Sequence, residues 1–354
     1  MPTSHAAFLG FAQKQPTRPG DCFINSYAEF RREYGDGKTV TLADGTAAPN
    51  TLAHAVRGFF DNGGTHLNVQ PVETAAPEAF TEAMARLADI PDVSLVAAPS
   101  AATIPDAAAR LNVYLALTAH AQSLRRFAIL PAPDTTDLAA VRGFRASFDT
   151  PSAAIYHPWL RVAGTVNPVP PDGHIAGIFA RSDRTRGVHK APANEIIRGI
   201  RGFASTVTTS LQDVLNPEGI NCLRAITGRG RRVWGARTVS SDPEWKYISV
   251  RRLCTYFERS IERGTQWAVY EPNAQPLWAA VRREIEDFLH QAWRSGALHG
   301  TKPEEAYFVR CDRSTMTQTD IDNGRLICLV GVAPVRPAEF VIFRIGQWTA
   351  DHQG

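Results

Sequence analysis

From residue 52 to residue 156 the chain alternates helix-like and strand-like segments, and no other feature narrows its fold so far. Leu52, Val56, Phe59 and Phe60 fall on one helical face, Asn62-Gly63-Gly64 breaks the pattern, and an extended run follows over 66–72. Helices are then expected near 77–88, 106–122 and 137–148, with strands near 93–98, 127–131 and 153–156. Strands separated by helices predict a mainly parallel sheet with helices on its faces, so the first half reads as an α/β layer. Upstream, Ser26 and Glu29 have the spacing of a capping box for a short helix that Gly35 stops. Downstream, Pro168, Pro170 and Pro171 mark an extended connection and a candidate domain boundary.

The second half carries two amphipathic helices and three strand candidates. Val250, Leu253, Cys254, Phe257 and Ile261 form one apolar stripe; Leu277, Val281, Ile285, Phe288 and Leu289 form another behind Pro276. On the outer face of the second helix, Arg282–Glu286 and Arg283–Asp287 have the spacing of i,i+4 charge pairs. Strands are expected over 306–311, 326–332 and 339–345. In the last of these Phe340, Val341, Ile342 and Phe343 are apolar in succession, followed by Arg344 and Ile345, so both faces need cover and the strand belongs inside a sheet. Two readings stay open: an internal strand of the chain's own core, or a strand given to a sheet shared with neighbouring subunits.

Composition narrows the function classes. A chain of 354 residues with 44% hydrophobic and 21% charged residues is a folded body with room for one large domain or two ordinary ones. It has no run of about 20 apolar residues and no basic-then-apolar leader at its start, so synthesis and assembly in the cytoplasm are expected, without membrane insertion. Cys22, Cys222, Cys254, Cys311 and Cys328 are scattered without a Cys-x-x-Cys pair or zinc spacing, and read as reduced, small apolar residues. Sixteen Lys/Arg against eight Asp/Glu lie between Arg181 and Arg263, so on a chain of net charge +3 the remainder is acidic. Such complementary regions suit an acidic partner or copies of the same chain.

No catalytic set emerges. Gly228-Arg229-Gly230-Arg231-Arg232 lacks both the third glycine of a dinucleotide fingerprint and the ending of a phosphate loop, and reads as a basic turn. The ten histidines never take metalloprotease spacing, and there is no Gly-x-Ser-x-Gly elbow. His157, His174 and His189 are expected at the surface or hydrogen-bonded, and Glu304-Glu305 in a helix first turn or solvated loop. Asp242, Glu244 and Glu258 interrupt the arginines, and no nucleic-acid reading motif accompanies them. The expectation is a protein that is not an enzyme and uses no cofactor, metal or nucleic acid.

Five blocks carry a resemblance: residues 187–194 (GVHKAPAN), 215–221 (LNPEGIN), 228–247 (GRGRRVWGARTVSSDPEWKY), 264–273 (GTQWAVYEPN) and 332–340 (VAPVRPAEF). Weaker matches over 52–72 and 7–35 extend it across nearly the whole chain. In this order the blocks resemble the contractile tail sheath proteins, in particular those of extracellular, phage-tail-like injection systems. Their content is turn and packing chemistry: Asn216-Pro217-Glu218-Gly219 and Ser241-Asp242-Pro243-Glu244 fix tight turns, and Trp234, Trp245, Trp267 and Trp278 suit cores or interface anchors.

The resemblance implies a two-part α/β protomer: a short segment 1–20, an outer domain 21–185 and a sheath-core domain 186–354 that ends in the linking strand. It further implies self-assembly as six-fold rings stacked helically around an inner tube, with baseplate and terminal cap proteins as further partners. Contraction then drives the tube through a target envelope, in a particle that is released from the cell. A minor sheath paralogue or an adaptor at one end of the tube is the alternative. Under this resemblance Phe340 to Ile345 form the inter-subunit strand, and Arg229, Arg231, Arg232, Arg251, Arg252, Arg282, Arg283 and Arg294 are candidate tube or subunit contacts. Family members commonly start with an extra strand-bearing arm, whereas only Met1 to His5 precede the segment matched here, so an N-terminal strand exchange is not expected to carry over unchanged.

Overall fold

The computed structural model describes residues 1–14, 16 and 23–340. The chain opens with β1 (Ala6–Phe11), β2 (Phe23–Ile24) and α1 (Tyr27–Tyr34), then a small hairpin of β3 (Thr39–Thr41) and β4 (Ala47–Pro49). Alternation follows: α2 (Thr51–Asp61), β5 (Leu67–Val72), α3 (Pro77–Ala88), β6 (Leu95–Ala97), α4 (Ala107–Ser123), β7 (Phe127–Pro131), α5 (Leu138–Ala146) and β8 (Ala153–His157). Next come β9 (Leu160–Val162), α6 (Asp172–Arg186), β10 (Ile200–Phe203), α7 (Thr209–Leu215), β11 (Ile220–Ile226) and β12 (Gly230–Val233). The remainder holds α8 (Ile248–Gly264), α9 (Gln275–Arg294), α10 (Pro303–Ala306), β13 (Tyr307–Arg310), α11 (Gln318–Asp322) and β14 (Leu329–Val332).

Eight strands form one sheet in the order β12-β11-β8-β7-β6-β1-β5-β2, parallel except at its edges, where β12 and β2 run antiparallel. The mixed α/β class expected from the alternation is therefore the class observed. Strand β1 shows why both faces must be covered: Ala7, Leu9 and Phe11 join the core under α3 and α4, while Ala6 and Phe8 join the core under α1, α2 and α6. Ser26 caps α1 by accepting from the Glu29 N–H at 3.2 Å, but Glu29 reaches back to the N–H of Asn25, one residue earlier than a capping box requires. β11 and β12, from beyond residue 185, complete the large sheet.

Helix α6 has no counterpart in the sequence pattern. Val169 bridges Leu160 in both directions, Pro171 precedes the first turn of α6, and the helix crosses α2 in the same layer. The crossing is close because it is lined by glycine: a Cβ on Gly173 would stand 2.3 Å from the Ala55 carbonyl oxygen, and one on Gly177 2.3 Å from that of Phe59.

The C-terminal part has its own core of Leu253, Phe257, Leu277, Trp278, Val281, Ile285, Leu289 and Val309, with Val188 joining from the loop after α6. Helix α8 is a strut between the two bodies. Its Ile248 belongs to a core of the sheet, its Leu253 and Phe257 to the second core. Arg252 sits between them, buried, donating to both carboxylate oxygens of Asp183 on α6 at 2.9 and 2.6 Å and to the Thr3 carbonyl at 2.8 Å.

Candidate assembly surfaces

Glu339, at the foot of the C-terminal tail, is held by four side chains from two other stretches of the chain. Arg237 donates Nε to Oε1 at 2.7 Å and Nη2 to Oε2 at 2.8 Å, Asn216 Nδ2 donates to Oε1 at 2.8 Å, and the Tyr247 hydroxyl donates to Oε2 at 3.1 Å. Lys246 adds a charge at 3.6 Å. Burial alone would raise this carboxyl, but the hydrogen bonds from Arg237, Asn216 and Tyr247 and the charge of Arg237 outweigh it and hold its pKa at about 2. Asn216, Arg237, Tyr247 and Glu339 come from three of the sequence blocks, which therefore converge on one carboxylate. Phe340, the next residue, is exposed. Val341, Ile342, Phe343, Arg344 and Ile345, the rest of the expected terminal strand, lie outside the described residues.

A second surface is the antiparallel ribbon of β13 and β14. Tyr307, Val309 and Val330 and Val332 turn toward α9 and the C-terminal core, while Phe308, Arg310 and Leu329 face outward. Phe308 is 50% and Leu329 51% exposed, and the Phe308 ring lies over Gly331, filling the space where a Cβ would stand. Among the described residues no third strand pairs with the outer edge of either strand, although the Tyr307 N–H there donates to the Pro303 carbonyl of α10. Paired only with each other, two short strands leave outer-edge backbone groups that added strands could meet.

The candidate arginines are dispersed. Arg229, Arg231 and Arg232 cluster on the β11–β12 hairpin, whose turn relies on left-handed Gly228 and Gly230, at φ +72° and +80°. Arg229 and Arg231 are exposed, while Arg232 is tied to the Arg229 and Asn194 carbonyls at 2.9 and 2.6 Å. Arg251 stacks 5.0 Å from the Trp245 ring centre and meets Glu258 at 3.4 Å. Arg252 is turned inward, since its partner Asp183 lies within the protein. Arg282, Arg283 and Arg294 are exposed on α9; Arg282 pairs with Glu286 at 3.8 Å, and no ion pair between Arg283 and Asp287 forms. Beside Arg283, Trp267 donates to Glu284 at 2.7 Å yet stays 46% exposed, next to exposed Val269 and Tyr270.

The histidines correct the sequence reading. His157 and His174 are neither at the surface nor hydrogen-bonded at Nδ1: both are 3% exposed, and burial lowers them to about 4 and about 3, so they stay neutral. Nearby, Asp172 Oδ1 accepts from the Gly173 N–H at 2.9 Å, while its buried Oδ2 has no partner and burial pushes the carboxyl up to about 7. In doubly wound sheets the ligand crevice opens where strand order reverses, here at the ends of β1 and β6. That position is filled by the turn Pro99–Thr103, whose Ser100 accepts from the Phe11 N–H at 2.9 Å and lies 3.3 Å from Thr51 Oγ1. No group of three or more His, Cys, Asp or Glu among the described residues is arranged to hold a metal ion, and no helix there is long and apolar enough to cross a membrane.

Comparison with known proteins bears on the whole chain. Residues 73–239 match the family model described as the phage tail sheath protein central domain, and residues 240–347 the phage tail sheath C-terminal domain. A chain of the six-fold symmetrised baseplate of the anti-feeding prophage is 34% identical, with a TM-score of 0.83 covering 99% of this chain and 94% of that one. The contracted sheath complex of PVC, an extracellular contractile injection system, gives 31% identity and a TM-score of 0.84 over 98% and 92%. The putative prophage major tail sheath protein of Pseudomonas aeruginosa strain UCBPP-PA14 is 26% identical over 72% of this chain and 67% of its own length.

Proposed function

Because the chain belongs to the phage tail sheath family, we propose that it is a mechanical subunit of a contractile injection system, polymerising as stacked rings around an inner tube. Shortening of that polymer drives the tube through a target envelope. The observation that carries this reading is an unfilled ribbon and a clamped tail on the same subunit. Among the described residues β13 and β14 pair with no third strand, and the chain leaves Glu339 with an apolar run from Phe340 to Ile345 that calls for cover on both faces. A donor and an acceptor on one body generate a head-to-tail polymer. Main-chain links of this kind keep bodies joined while they rotate between two packings, and the energy resides in subunit contacts without a nucleotide.

In this reading the exposed α9 arginines Arg282, Arg283 and Arg294 and the hairpin residues Arg229 and Arg231 meet the tube or adjoining subunits. Baseplate and terminal cap proteins bind the ends, and assembly takes place in the cytoplasm before release of the particle. A subunit stationed at the baseplate is the second reading, favoured by the likeness to a chain of a baseplate structure.

Deletion of residues 340–354 tests the proposal. The truncated chain is expected to keep its far-ultraviolet circular dichroism and to yield no rings or tubes in electron micrographs, whether alone or with a tube protein. Tubes as long and as frequent as those of the full chain would overturn the strand link.

A further inference from the structure

Cys311 and Cys328 face each other across the β13–β14 ribbon, one step beyond its last paired residues. The ladder joins Tyr307 to Val332, Phe308 to Gly331, Val309 to Val330 and Arg310 to Leu329, and the same register continued sets Cys311 opposite Cys328. The Ala333 N–H donates to the Ala306 carbonyl at 2.8 Å, so 306 and 333 are a hydrogen-bonded pair. Alternation along the ladder then makes 308/331 and 310/329 bonded positions and 311/328 a non-bonded one. At non-bonded positions the Cα atoms stand about 4.5 Å apart and the side chains approach most closely. A disulfide spans Cα separations of about 4.4–6.8 Å, so this spacing accommodates one.

Other observations agree. Both residues fall on the inner face of the ribbon and join the C-terminal core, Cys311 buried and Cys328 at its margin. Both are free thiols, and each interacts with the other. The remaining described cysteines have no such opposite number: Cys222 directs its thiol to the Ile220 carbonyl within β11, and Cys254 stands on α8.

We propose that Cys311 and Cys328 are a modification site, a cross-strand dithiol that low-molecular-weight disulfides convert to an intramolecular disulfide. One cysteine thiolate attacks the oxidant's S–S bond, forming a mixed disulfide and expelling one oxidant thiolate. The sulfur of the second cysteine then attacks the first, expelling the other half of the oxidant. Each cysteine gives up its proton, the two cysteines are oxidised together, and the oxidant is reduced to two thiols. Burial raises both thiols above their ordinary range, Cys328 to about 12, so thiolate is scarce and exchange in the folded ribbon is slow. The product fixes the strand spacing at the ribbon's open end and closes a loop over 312–327 that contains α11. This inference rests on the register and is independent of whether the subunit polymerises.

The full chain is incubated with oxidised glutathione under native conditions, free thiols are alkylated, and unreduced proteolytic peptides are mapped by mass spectrometry. The expected result is a peptide pair joined through Cys311 and Cys328, lighter by two hydrogens, and a thermal midpoint raised by several degrees that dithiothreitol returns to its starting value. Cys311→Val and Cys328→Val should each abolish that shift. Alkylation of both cysteines after prolonged oxidation overturns the proposal, and so does stable attachment of each to glutathione or to another cysteine. The peptide map of the unaltered chain decides the matter even where a variant fails to fold.

Discussion

Glu339 illustrates what single residues disclose and conceal. Its block was legible as a block, but a glutamate beside Phe340 gives no hint that Asn216, Arg237 and Tyr247 reach it, because those partners lie 92 to 123 residues away along the chain. The same holds for Arg252: its position in a basic stretch reads as surface, and only the fold brings Asp183, 69 residues away, against it. The carboxylate of Glu339 has a testable consequence. Its folded pKa is depressed, so its stabilisation is present above the ordinary carboxylate range and is lost as pH falls toward about 2. Glu339→Gln is therefore expected to cost about 2 kcal/mol at neutral pH, as charged hydrogen bonds do. In denaturant titrations the gap between the variant and the unaltered chain should narrow steadily below pH 4.5. A gap independent of pH would show that ionisation of Glu339 does not contribute.

At the level of elements, the alternation from α2 to β8 was readable because each helix there has one wet face, so its apolar residues recur with helical period. α6 was not. Every residue from Asp172 to Ala180 is buried, and a helix covered on all sides leaves no stripe to detect. Its packing on α2 leads to a prediction. Gly177→Ala sets a methyl against the Phe59 backbone carbonyl, which no rotamer change relieves, and should cost about 1–3 kcal/mol in chemical denaturation. Gly143→Ala on α5, where nothing lies within 4 Å, should be neutral or gain up to about 1 kcal/mol. Equal effects of the two substitutions would mean that the α2–α6 contact tolerates separation. The ribbon matches the two strands expected near 306–311 and 326–332, but that no other described strand pairs with it emerges only from where the described elements lie.

For the whole molecule, the sheet and the C-terminal core are joined by α8, with Arg252 at the junction, and in the proposed strand exchange donor and acceptor both belong to the C-terminal part. A chain lacking residues 340–354 keeps its acceptor ribbon and loses its donor strand, so it should stop growth when mixed with full chains. Mean tube length in electron micrographs is expected to fall as the truncated fraction rises. Lengths that ignore the truncated chain would mean that growth does not depend on the terminal strand. The clamp on Glu339 carries a mechanical corollary. With its root nailed to the sheet body at Glu339, the proposed link is a leash of fixed origin, and a six-residue stretch at full extension reaches about 20 Å at most. In the proposed polymer that reach caps how far two tethered bodies can part, and any pull on the leash is delivered first to the Arg237 guanidinium.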